Sequence, residues 1–66
     1  MNQEQLETIV AEINLDLGWN FDAAAITTKE QLQRLVDMTC FRGRSDLAKR
    51  VVMFARANEL RVGMPA

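Results

Sequence analysis

Histidine and tyrosine are absent from this chain, cysteine and proline occur once each, and no apolar run exceeds five residues. Each gap closes off a class of function. Without histidine the chain lacks the commonest general base and the commonest metal ligand. A single cysteine, Cys40, can form neither an internal disulfide nor a thiolate zinc cage. A bilayer span needs about 20 apolar residues in a row. The start, Met1 to Leu6, is polar and acidic, without the basic residues and apolar stretch of a secretory signal. The three glycines are isolated, so no glycine-rich phosphate cradle exists. Together with an unpaired thiol, which suits a reducing compartment, these absences point to a cytoplasmic protein with no membrane association.

At 66 residues the chain has room for one domain. A domain of this size buries about 60% of its unfolded surface, so its core is marginal and a second copy would add stability. With 48% apolar and 26% charged residues, the composition is that of a folded domain. Three segments carry helical periodicity. The first runs from near Asn2 to Gly18, with Leu6, Ile9, Val10, Ile13 and Leu17 on one stripe and Asn2 and Gln5 as a capping pair. The second starts at Thr27 or Thr28, each with a matching residue three positions on, and carries Leu32, Leu35, Val36, Thr39 and Cys40 inward before stopping at Gly43. The third opens with Ser45 as cap and Asp46 on the helix dipole, and turns Leu47, Ala48, Val51, Phe54 and Ala55 to the core. Between the first two, Trp19-Asn20-Phe21 reads as an aromatic plug, with Asp22 capping a helical turn through Ala25. A short strand over Trp19–Ile26 is the alternative, disfavoured because alanine is a good helix former and a poor strand former. The predicted fold is all-α, a compact antiparallel bundle of about three helices spanning residues 1–66, with Val62 to Ala66 as a loose tail.

Catalytic constellations do not assemble from this inventory. Cys40 has no base to activate it and lies on a buried stripe. Ser45 is explained as a cap. Glu12 and Asp16 share an outward face as a solvated acidic pair, and Asn20 with Asp22 offers too few oxygens for a calcium or magnesium site. The expectation is a non-enzymatic protein with no cofactor and no metal.

The charge distribution is the feature that calls for explanation. Residues Met1 to Asp37 hold seven acids and two bases; Met38 to Ala66 hold six bases and two acids. A net charge of -1 therefore hides a dipolar chain. The bases are Arg42, Arg44, Lys49, Arg50, Arg56 and Arg61. Met53 and Leu60 fall beside the Lys49–Arg56 line, opposite the Leu47, Val51 and Phe54 stripe, which suggests a second apolar stripe rimmed by bases. Ordinary surface, or pairing of these bases with the acidic first helix, would also account for the pattern. Arginine and methionine are enriched at protein interfaces. Arg42, Arg44, Lys49, Arg50, Met53, Arg56 and Leu60 are accordingly the predicted partner-binding residues, with an interface around Trp19 and Phe21 as the fallback.

From Phe21 to Met53 the layout resembles ribbon-helix-helix repressors: Phe21 to Thr27 as strand, Thr28 to Arg42 as helix, Gly43-Arg44-Ser45 as turn, and Asp46 onward as second helix. That resemblance implies DNA binding through alternate polar residues of the strand, yet here the strand offers Asp22 as its one charge and no base to read an edge. A helix-turn-helix made by the second and third helices is the other nucleic-acid reading, with Arg44, Lys49 and Arg56 toward the groove. The favoured expectation is a small interaction protein, a regulator or inhibitor that occupies a surface of a larger protein partner and self-associates as a homo-oligomer. A phage or mobile element is a natural source for a chain of this size. DNA-binding transcriptional regulation through the basic third helix is the alternative.

Overall fold

The computed structural model describes residues 1–65. It holds α1 (Gln3–Leu17), a 3-10 turn (Ala23–Ala25), α2 (Lys29–Phe41) and α3 (Ser45–Ala57), with no strand among the described residues. The predicted all-α bundle of three helices is the fold that forms.

Two of the three α-helices begin where a side chain satisfies an orphan N–H. At α1 the Asn2 side chain accepts the Gln5 N–H at 3.1 Å. The reciprocal half of the expected pair is absent, because the Asn2 N–H donates to Asn58 Oδ1 at 2.9 Å, at the far end of α3. At α2 the capping box is complete. Thr28 Oγ1 accepts the Gln31 N–H at 3.2 Å, and Gln31 Oε1 accepts the N–H groups of Thr28 at 3.0 Å and Thr27 at 2.6 Å. Ser45, expected to cap α3, is instead its first helical residue; the cap position is Arg44, with no side-chain bond. The reason lies in the preceding turn. The Arg44 N–H is committed to Thr39 O and the Gly43 N–H to Cys40 O, both at 2.9 Å. This pair of bonds is a Schellman motif with Gly43 at φ 77°. It closes α2 and forces α3 to start at the next residue.

The segment between α1 and α2 is a loop with a helical turn. Asn14 on α1 clamps it, accepting the Phe21 N–H at 3.0 Å and donating to Phe21 O at 2.9 Å. Asp22 caps the 3-10 turn through the Ala24 N–H at 3.0 Å. The strand needed for a ribbon-helix-helix arrangement is therefore not formed.

α3 is the central element, packed against both α1 and α2, while α1 also covers the 3-10 turn. Asp16 meets Arg44, Glu12 meets Arg50 and Asn2 meets Asn58, so α1 and α3 run antiparallel. The core joins Leu6, Ile9, Val10 and Ile13 of α1, Leu32, Leu35 and Val36 of α2, and Leu47, Val51, Val52 and Phe54 of α3. Thr39, the buried polar side chain among the described residues, donates its hydroxyl to the carbonyls of Leu35 and Val36, both at 2.9 Å.

The segment after α3 departs from the loose tail expected. Glu59 at φ 61° lets the Leu60 N–H reach Ala55 O at 2.8 Å and the Glu59 N–H reach Arg56 O at 3.0 Å, a second Schellman motif. The reversal folds Leu60 onto the core and buries Val62 to 4% exposure. Gln33 then holds Gly63 with both ends of its amide, donating to Gly63 O at 2.7 Å and accepting the Gly63 N–H at 3.1 Å. Residues 62–63 are thus docked on α2; Ala66 lies outside the described residues. A hydrophobic residue at the end of a helix is enough to anchor a reversed chain, and that pattern cannot be told from a frayed end by periodicity.

Two substitutions at these helix ends should move stability in opposite directions. Gly43→Ala places a side chain in left-handed backbone with open space around it, so its cost is conformational, about 1 kcal/mol. Glu59→Gly relieves the same strain and should gain a similar amount, about 1 kcal/mol. Chemical denaturation of the two variants beside the parent checks both signs.

Candidate interaction surface

The seven predicted partner-binding residues do not form one patch. Arg44 donates through Nη2 to Asp16 at 3.1 Å and through Nε and Nη2 to both carboxylate oxygens of Asp46, at 3.1 and 3.0 Å. The Asp46 hydrogen bonds, then those of Asp16, raise the Arg44 guanidinium above its ordinary value, and Arg44 in turn holds the Asp46 carboxyl below its own. Arg50 pairs with Glu12 of α1. Two of the six bases are therefore spent on the acids of α1 and on a neighbouring acid. Lys49, Met53 and Arg56 remain exposed on α3, with Met53 at 70%. Met53 and Arg50 edge a shallow groove shared with Gln5, Thr8 and Ile9 of α1. Leu60 is not on that stripe: it lies beyond the helix end, half-buried, in a different groove with Arg56 and Val62. The expected second stripe fails because the Schellman turn removes Leu60 from the helical register.

Arg42 belongs to a different feature. Its guanidinium carbon lies 5.8 Å from the Trp19 ring centroid, a cation–π contact. Trp19 meets Phe21 edge to face, 5.4 Å between centroids at 85°. Beside them on α2 stand Met38 at 36% exposure and Phe41 at 91%. Trp19, Met38, Phe41, Asp37 and Arg42 line one shallow groove. Met38 also borders a tighter cleft of about 200 Å³, lined by Phe21, Ala25, Ile26 and Leu35 with Arg34 at its edge. Groove and cleft make one continuous face of α2 and the loop.

Phe41 was missed by sequence reasoning although its signal was present. At about 100° per residue, Phe41 stands nine positions after Leu32 and so points half a turn away from the core stripe. Leu15, 84% exposed, is nine positions after Leu6 and is outward for the same reason. Leu15 lines none of these grooves, and single exposed leucines are ordinary surface. Phe41 differs in standing among an indole, a thioether and a guanidinium.

Glu12 and Asp16, the candidate acid–base pair, each face an arginine. Cys40 is half-buried against the core. Among the described residues no group of three or more Cys, Asp or Glu side chains converges as a metal site, and no helix is long and apolar enough to cross a membrane. No protein-family model, curated protein or solved structure matches the chain.

The Arg44–Asp46 bridge carries a pH signature. Asp46 has a depressed folded value, so its contribution is present above about pH 4, where the unfolded carboxyl is ionised, and is lost as pH falls through the folded value. Thermal melts from about pH 5 to pH 2 should therefore fall more steeply for the parent than for Asp46→Asn. Parallel curves would mean that the bridge adds nothing to stability, as is common for exposed pairs.

Proposed function

We propose that the chain is a non-enzymatic interaction module that acts as a regulator by occupying a protein surface with its Trp19–Met38–Phe41 face. The observation that carries this reading is Phe41, left 91% exposed beside Trp19, Met38 and Arg42. An exposed phenylalanine gives up the roughly 1.5–3 kcal/mol that burial would supply, and a fold this small has little stability to spare. Aromatic, methionine and arginine side chains are the residue types enriched at protein interfaces, and clusters of this kind carry most of the binding energy. A cytoplasmic setting suits the unpaired thiol of Cys40.

Regulation through DNA draws on less. Of the six bases after Met38, Arg44 and Arg50 are engaged in salt bridges inside the chain and Arg42 lies over Trp19, which leaves Lys49, Arg56 and Arg61 as the exposed bases of that set with neither contact among the described residues. Phosphate attraction scales with the cations free to displace counterions.

Phe41→Ser tests the reading. The variant should melt at or above the parent temperature, since the side chain is outside the core, and should lose proteins that the parent chain retains from a lysate, with nuclease treatment making no difference. Capture that survives Phe41→Ser but vanishes with nuclease would return the function to nucleic acid.

A further inference from the structure

The same face carries a self-complementary charge pattern. Asp37, Met38 and Phe41 of α2 and Arg42 at its C-cap have the spacing of position g of one heptad and a, d and e of the next. In two parallel helices the a and d residues meet their counterparts across the seam. A g residue then faces the e residue five positions on in the other helix. Arg42 stands five positions after Asp37, and a two-fold axis repeats every contact, so one arrangement makes two Asp37–Arg42 pairs around a Met38–Phe41 centre.

Both charged groups are placed for such pairing. Asp37 Oδ1 accepts the Gln33 amide at 3.0 Å, while neither Asp37 nor Arg42 has an ion-pair partner among the described residues. Arg42 lies over Trp19, and a cation–π contact leaves guanidinium N–H donors available for a carboxylate. Trp19 extends the apolar area beside the seam. An interface worth about 1,000 Å² in total asks each copy to cover roughly a ninth of its 4368 Å² surface. Gln31 and Arg34, one heptad earlier, are polar, which confines the apolar seam to a single heptad and keeps the dimer small.

We infer that this face is a homodimer interface, occupied by a second copy of the chain with the two α2 helices parallel about a two-fold axis. The inference rests on reading the Phe41 face as an interaction surface and names its occupant. A small interface predicts rapid exchange between monomer and dimer, with assembly rising across the micromolar to millimolar range.

Charge reversal in trans tests it. In Asp37→Arg both cross-pairs become Arg–Arg; in Arg42→Asp both become Asp–Asp. Sedimentation equilibrium should show each single variant dimerising at least about tenfold more weakly than the parent, through like-charge repulsion. An equimolar mixture restores both pairs and should form a heterodimer within about threefold of the parent affinity. Thermal melts of each variant confirm folding, and the mixture supplies an internal control, since misfolded variants would not rescue one another. A parent that stays monomeric to millimolar concentration overturns the inference. So does a mixture that fails to associate while the parent dimerises. If the parent is monomeric but Phe41→Ser still abolishes capture of a different protein, the interaction reading stands and its occupant is that protein; if Phe41→Ser changes neither assembly nor capture, both readings fall.

Discussion

Everything in this small fold is arranged around the burial of α3 on two sides. α3 buries six residues, from Leu47 to Ala55, and packs against α1 and α2. α1 and α2 have narrower inward stripes, of four residues each, and each contributes one wall. A chain of this length cannot form two cores, so the helices share one, and α3 supplies the common surface. The docked segment around Val62 and the Trp19–Ile26 loop close the remaining sides.

The connections follow from the same economy. Each helix ends in a left-handed residue, Gly18, Gly43 or Glu59, which reverses the chain within a few positions. The last two of these turns recover carbonyls that a helix end would leave unpaired. The short turn at Gly43 fixes α2 against α3, and the longer loop after Gly18 is held to α1 by the Asn14 amide. Gln33 does for the final segment what Asn14 does for the loop, each side-chain amide standing in for a backbone partner.

The seam between α1 and α3 offsets part of the charge asymmetry, pairing two acids of the first half with two bases of the second. Asp16 and Glu12 meet Arg44 and Arg50 across it, so the halves of a dipolar sequence neutralise one another where they touch. These pairs are solvent-exposed and contribute modestly to stability, but their antiparallel register reinforces the direction in which α1 lies on α3. Lys49 and Arg56 of α3 stay unpaired among the described residues, while α2 and the loop present an apolar, aromatic face at Trp19, Met38 and Phe41.

Hydrophobic periodicity determined the number of helices, their core stripes and two of their N-terminal caps, because those depend on residues within a turn or two of one another. Leu32, Leu35, Val36 and Thr39 are buried as their spacing requires, and Thr28 with Gln31 caps α2 as the motif implies. Tertiary structure decided the rest. Ser45 lost its capping role to a turn whose geometry is set by Gly43; Leu60 left the α3 register because Glu59 took up a left-handed conformation; and Val62 was drawn into the core instead of trailing free. The partners of Arg44 and Arg50 depended on how α1 lies across α3, a contact between residues 28 and 38 positions apart. The outward angle of Phe41 was readable from sequence, but its company with Trp19 was not: that neighbour arrives through a loop whose path depends on Asn14 and on the packing of α1.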